Sequence, residues 1–213
     1  MGIDKADVRM VVHVQLPGTL EAYYQEAGRA GRNGGPAKCI AFHTRSDRRL
    51  ARSFVDRTHP PARALRRLHA RLRRAAAGDG VVRIDAPELA GLESALAEWL
   101  EDTGTGPVAA LERIGVVRRL DAARTDCEGA EGAPGPHAGQ ARGALAALAR
   151  LGVRRQADFA PAIRLRRSAL DKADAVQRYA RSSGCRRRAL LRYFGEDAPR
   201  RCGSCDRCGV EPG

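Results

Sequence analysis

Residues 185–208 read CRRRALLRYFGEDAPRRCGSCDRC, with cysteines spaced Cys185-x16-Cys202-x2-Cys205-x2-Cys208. A Cys-x2-Cys turn lets two thiolates converge on one ion while backbone amides point at the sulfurs, and here two such turns overlap. Gly203 and Ser204 supply permissive turn geometry between them. Cys185 opens a helix, where the N-terminal dipole favours its thiolate, and reaches across the intervening loop as the fourth ligand. Disulfides would need an oxidising compartment, and a redox dithiol does not need four cysteines. An iron–sulfur cluster could use the same ligands. Structural zinc is the reading the spacing favours. Four protein ligands leave no position for water, so the ion supplies folding free energy, on the order of 10 kcal/mol, and no chemistry. Cys39 and Cys127 stand apart as a strand cysteine and a loop cysteine, and the histidines show no ligand spacing.

The 213 residues carry a formal net charge of +13, which points to a polyanionic partner, most simply DNA or RNA. Only Lys5, Lys38 and Lys172 are lysines, and a coding bias toward Arg would produce the same skew. Residues 162–213 hold thirteen Arg and Lys against six Asp and Glu. Metal binding at Cys185 would fix the adjoining Arg186, Arg187 and Arg188, which makes them candidate DNA contacts. No apolar run approaches the ~20 residues that cross a bilayer, and no basic segment leads into an apolar one, so a cytoplasmic protein without a membrane partner is expected. Aromatic residues make up 4% of the chain, which leaves core material thin.

Four regions separate along the chain. Residues 1–55 hold two strand-like runs, Val8 to Val14 and Lys38 to His43, around a Gly-rich stretch. Residues 56–126 read as helical, with Leu65, Leu68, Leu72 and Ala75 at helical spacing in a helix predicted over 62–77. Arg63, Arg66, Arg67, Arg71, Arg73 and Arg74 fill the rest of that helix, as a solvated or a DNA-facing surface. Short helical candidates at Glu88–Leu92, Leu96–Glu101 and Val108–Arg113, closed by Val116 and Val117, are compatible with a small winged-helix or helix-turn-helix unit. Residues 127–161 form a Gly/Pro-rich linker and a short helix. Residues 162–213 begin with a helix that Ser168 is expected to cap, with Asp171 three residues on, followed by a second helix over about Cys185 to Phe194 and the cysteine tail.

The segment Gln25-x-x-Gly28-Arg29-x-Gly31-Arg32 places two arginines three apart on one face of a helical turn, with glycines that let the backbone approach a partner. Two rigid guanidiniums held so can each bond phosphate oxygens bidentately, which suits a triphosphate.

Together with Gly2-Ile3-Asp4-Lys5, this segment resembles motifs V and VI of superfamily-two helicases, and in wording those of the RecQ family. YYQEAGRAGRNG (23–34) and CRRRALLRYFGE (185–196) running into CGSCDRC carry the same resemblance, in the family's order. It covers about 1–55 and 165–209. The resemblance implies ATP hydrolysis coupled to 3′-to-5′ unwinding of DNA, with ATP and Mg2+ as cofactors. By that likeness Arg32 is the arginine finger, Arg29 a second γ-phosphate contact, and Gln25 helps position them. Asp4 in motif V helps couple the nucleotide to the bound strand, and with Gly28 and Gly31 it is counted as cofactor-binding. The fold expected is α/β to mostly α: an incomplete second RecA-like lobe with two strands, a helical insert, and a helical zinc-binding module.

Missing are a GxxxxGK[ST] loop, an Asp-Glu pair for Mg2+ and the first RecA-like lobe. The chain starts at a Met that in the family lies inside motif V, as a miscalled start or a fragment would. The isolated chain is therefore expected to be inactive and to need that lobe as a partner. The rival from another class is a non-enzymatic, zinc-stabilised DNA-binding protein that retains helicase motifs.

Overall fold

The computed structural model describes residues 5, 7–76, 80–83, 106–120 and 150–209. Among them the elements are β1 Met10–His13, α1 Leu20–Ala27, β2 Lys38–Ala41, α2 Arg45–Thr58, α3 Ala62–Ala75, β3 Val81–Arg83, α4 Gly106–Arg113, β4 Val117–Leu120, β5 Arg150–Val153, α5 Ala160–Arg181 and α6 Arg186–Tyr193. About half of the described residues are helical, with two small sheets, so the fold is mixed. The helical candidates at 88–92 and 96–101, the Gly/Pro-rich stretch, Asp4 and Cys127 lie outside the described residues. Contacts divide the chain into two compact units, Met1–Phe54 with Ser168–Gly213, and Val55–Arg167.

In the first unit β1 and β2 pair in parallel, from Met10 beside Lys38 to His13 beside Ala41. Parallel neighbours need a crossover, and α1 supplies it. Thr19 caps α1, its Oγ1 accepting from the Ala22 N–H at 3.1 Å. Leu20 and Tyr23 of α1 pack with Leu16 against Ala175, Val176 and Tyr179 of α5. Alternation along β1 buries His13 and leaves Met10 and Val12 exposed, beside exposed Ile40 of β2. Parallel sheets are ordinarily covered on both faces, and this one presents an apolar face among the described residues.

The second unit is built on α3. Leu65, Leu68 and Leu72 form the expected stripe and pack against Val82, Val108, Leu111, Val116, Val117 and Val153. The sheet is antiparallel in the order β3-β5-β4, so the strand latest in sequence sits in the middle. His69, which the sequence left without a role, is buried; its Nε2 donates to the Arg154 carbonyl at 2.8 Å and its ring meets Phe159. Arg63, Arg66, Arg67, Arg73 and Arg74 lie on the exposed side of α3, and Arg71 is half-buried.

One expectation fails. Ser168 does not begin a helix: α5 starts at Ala160, eight residues earlier, and the Asp158 Oδ1 accepts the Ala160 N–H at 2.8 Å near its start. The Ser168–Asp171 pair sits in the helix interior, because Arg164, Arg166 and Arg167 upstream continue the helix readily.

No helix among the described residues is long and apolar enough to cross a membrane. Leu72 is fully buried at the centre of the second core, so Leu72→Ala is expected to cost about 2–5 kcal/mol, read from denaturant unfolding of this unit. A loss below about 1 kcal/mol would mean that this core does not hold the unit together.

Candidate metal centre and the arginine turn

The sulfurs of Cys185, Cys202, Cys205 and Cys208 all lie within 4.8 Å of one another. A tetrahedron with Zn–S bonds near 2.3 Å has sulfur–sulfur edges of roughly 3.8 Å. Cys202 Sγ and Cys208 Sγ are 3.9 Å apart, so the spacing already suits the ion. Backbone amides turn toward the sulfurs, as the overlapping turns require. The Arg186 N–H donates to Cys205 Sγ at 3.4 Å and the Cys202 N–H to Cys208 Sγ at 3.3 Å. Ser204 donates to Cys202 Sγ from its hydroxyl at 3.4 Å and its N–H at 3.5 Å. These donors bring the Cys202 thiol down to about 6, the Ser204 hydroxyl contributing most. Gly203 holds the tight turn at φ +70°. Cys185 is buried at the N-cap of α6, where the sequence placed it. Four sulfurs at this spacing, with donors that favour thiolates, fit structural zinc.

Arg186 fastens this knot to the rest of the unit. Its Nε and Nη2 donate to the two carboxylate oxygens of Asp206 at 3.0 and 3.1 Å, and its Nη1 to the carbonyls of Tyr179 at 2.6 Å and Ala180 at 3.2 Å. The guanidinium also lies over the Tyr179 ring, 5.6 Å from its centre. One side chain thereby ties the CDRC turn to the C-terminal end of α5, where the Tyr179 carbonyl also accepts from the Ser182 N–H at 3.2 Å. Arg186 holds the Asp206 carboxyl below its ordinary value. The clasp is therefore complete above the unfolded value of about 4 and opens only as pH falls through the lower folded one. With its donors committed internally, Arg186 is not placed as a DNA contact, whereas Arg187 is exposed and Arg188 half-buried.

The knot's helices pack on α1. The Tyr179 hydroxyl donates to the Tyr23 hydroxyl at 3.4 Å, and their rings are 5.2 Å apart. Burial, and then Tyr179, push the Tyr23 hydroxyl far above its ordinary value, so it stays protonated. Glu21 pairs with Lys172 at 3.0 Å and accepts from the Tyr193 hydroxyl at 3.1 Å, while Tyr24 stacks obliquely on Phe194. His13 lies under Tyr23, with Nε2 3.0 Å from Glu26 Oε2.

Past α1 the chain makes the turn that bears the paired arginines. Gln25 is exposed on α1, Arg29 is half-buried and Arg32 is exposed. The two arginines do not share a helical face. Gly28 ends α1, and short turns follow, the Arg29 N–H donating to the Glu26 carbonyl and the Ala30 N–H to that of Ala27. Gly31 then takes φ +71° and donates its N–H to Val8 at 2.9 Å, which reverses the chain between Arg29 and Arg32. A Cβ on Gly31 would also meet the Gly35 carbonyl at 3.0 Å. This glycine is thus required by its own turn, whatever it approaches. Sequence reasoning missed Asp206, Tyr179, Tyr23 and Glu21. Asp206 between two ligand cysteines was the only visible signal, an acid set opposite three arginines.

Two stretches of the chain match known families. Residues 153–209 match the RecQ zinc-binding family, and residues 1–34 match the helicase conserved C-terminal domain. The chain is similar to the RecQ-like DNA helicase BLM of Xenopus laevis, 55% identical over 56 residues, 26% of this chain and 4% of that protein. It is 43% identical over 58 residues to the ATP-dependent DNA helicase RecQ of Bacillus subtilis, 27% of this chain and 10% of that protein. Over 47 residues it is 60% identical to the ATP-dependent DNA helicase hus2/rqh1 of Schizosaccharomyces pombe, 22% of this chain and 4% of that protein. The chain spans a tenth or less of the length of these relatives.

Cys205→Ser is expected to abolish stoichiometric zinc. Arg186→Lys, which keeps the charge and loses the fork, should weaken zinc binding by about 10–100-fold in competition with a chromophoric chelator. Arg187→Ala should leave it unchanged. Equal effects of the Arg186 and Arg187 changes would contradict the clasp.

Proposed function

We propose that this chain, which carries the helicase C-terminal and RecQ zinc-binding regions, is part of an ATP-dependent 3′-to-5′ DNA helicase of DNA repair and recombination. In this reading it supplies the arginine finger and a zinc-stabilised DNA-binding module in the cytoplasm. The observation that carries the proposal is the packing of α1 on the metal module through Tyr23–Tyr179, Glu21–Lys172 and Tyr24–Phe194. Arg29 and Arg32 leave that helix through a glycine-fixed turn.

Catalysis of phosphoryl transfer is positioning plus charge stabilisation. In the proposed enzyme ATP and Mg2+ would be held by the first RecA-like lobe, which carries the GxxxxGK[ST] loop, and would supply the phosphoryl group and its charge neutralisation. Arg32 would then meet the γ-phosphate, Arg29 would add a second contact, Gln25 would help position them, Gly28 and Gly31 would allow the close approach, and Asp4 would help couple the nucleotide to the bound strand. The exposed apolar face of β1 and β2 supports a covering partner such as that lobe. Arg187 and Arg188 of α6 are the cations of the CRRR run that remain for DNA.

We read the second unit as a winged helix. The support is α3, then β3, then α4 leading into the β4 and β5 strands of an antiparallel β3-β5-β4 sheet. Val108, Ala109, Ala110 and Leu111 of α4 are buried, and Arg113 donates to the Thr58 carbonyl at 3.1 Å. Five exposed arginines, Arg63, Arg66, Arg67, Arg73 and Arg74, gather on α3, which makes that helix the face we assign to DNA in this unit.

Purified as it stands, the chain is expected to hydrolyse no ATP in a coupled assay with single-stranded DNA. With a nucleotide-binding lobe supplied in cis, turnover should appear, and Arg32→Ala should lower it by about 10^3–10^5-fold. Robust turnover by the isolated chain, or turnover indifferent to Arg32, would overturn the proposal.

A further inference from the structure

We infer that the groove between α2 and α5 of the first unit is a second binding site, one that takes the sugar–phosphate backbone of a nucleic-acid strand without reading its sequence. The groove has a volume of about 400 Å³ and is lined by Arg48, Asp174, Gln177, Arg178, Arg181 and Ser182. It contains neither the cysteine knot nor the arginine turn.

Its charge is not consumed inside the protein. Asp174 is the one acid in the lining, and Arg48 and Arg52 both lean on it from α2 at 3.8 Å. Charge-assisted N–H···O bonds run near ~2.8 Å, so these are loose contacts of one carboxylate shared by two guanidiniums. Arg178 and Arg181 are exposed in the last turn of α5, three residues apart and therefore on one face. Placement at a helix C-terminus suits cations by itself. It does not explain why Arg48, on another helix, converges on the same groove. Three arginines around one acid leave a net positive trough.

Gln177 adds a fixed polar wall. It is 8% exposed, and its Oε1 meets His43 Nε2 at 3.0 Å. That contact pins the carboxamide and leaves its NH2 for a ligand oxygen.

None of the six lining residues is aromatic or aliphatic. No aromatic ring offers the bases a stacking platform, so the arginines are left to meet phosphates and sugars. An open, positively charged trough also suits a polymer better than an isolated small anion, which needs enclosure. The inference requires only the folded first unit and stands independently of the ATP reading.

The test is fluorescence anisotropy of a labelled single-stranded oligodeoxynucleotide with the zinc-loaded chain over a series of salt concentrations. The R48A/R178A/R181A variant, matched to wild type in zinc content and circular dichroism, should bind about tenfold more weakly, with the log–log salt slope reduced by about two. Asp174→Asn, which removes the opposing charge, should bind several-fold more tightly. Oligonucleotides of different base composition should bind alike. Wild-type affinity and slope in the triple variant would overturn the site, as would Asp174→Asn binding no tighter. Displacement of the oligonucleotide by poly-glutamate at equal charge concentration would show a site for acidic protein instead.

Discussion

Four cysteine sulfurs within 4.8 Å of one another, and the single guanidinium of Arg186 beside them, order the C-terminal end of this chain. The apolar material there is sparse: α6 buries none of its residues fully. A helix of that kind has too little hydrophobic burial to offset the entropy of ordering it. Metal–thiolate bonds at the cysteine cluster would replace the missing core, and Arg186 ties that cluster to the end of α5 through two backbone carbonyls. Replacing Arg186 by another cation would keep the charge and lose the geometry, since a planar fork alone can meet Asp206 in two places at once.

From α5 the constraint passes to α1 by contacts of ordinary kinds: a tyrosine pair, an ion pair and an oblique aromatic contact. Each is modest alone. Together they hold the helix from which Arg29 and Arg32 depart, so metal, helix and arginine turn belong to one unit of the fold. The basic groove beside Arg178 and Arg181 lies on that same unit, on a different side chain set. A protein whose charge is carried almost wholly by arginine has thus divided it among several tasks. Arg186 and Arg166 are spent within the structure, Arg166 on Asp56 and the His59 carbonyl. Arg48, Arg178 and Arg181 are gathered around a groove, and those of α3 are spread over an open helix face.

The metal cluster was legible because ligand spacing is a local property: two overlapping Cys-x2-Cys turns need no tertiary information. The α3 stripe was legible for the same reason, Leu65, Leu68 and Leu72 recurring with the helical period. The start of α5 was not, since Ser168 and Asp171 look like a cap unless the arginines before them are known to be helical already. Nor could spacing reveal that Gly31 reverses the chain between Arg29 and Arg32; three apart in sequence looks the same in a helix and across a turn. The three arginines after Cys185 are equivalent in sequence. Only the fold, by bringing Asp206 and the end of α5 to the first of them, separates a structural arginine from its neighbours. The β3-β5-β4 sheet depends on strands of three and four residues joined across long separations, which local patterns do not encode.

The central claim is that one ion bound by sulfur alone underlies this arrangement. X-ray absorption at the zinc edge of the purified chain measures it directly. The account predicts a single shell of four sulfur scatterers at about 2.3 Å. A shell containing nitrogen or oxygen ligands, or an iron edge in place of a zinc edge, would contradict it.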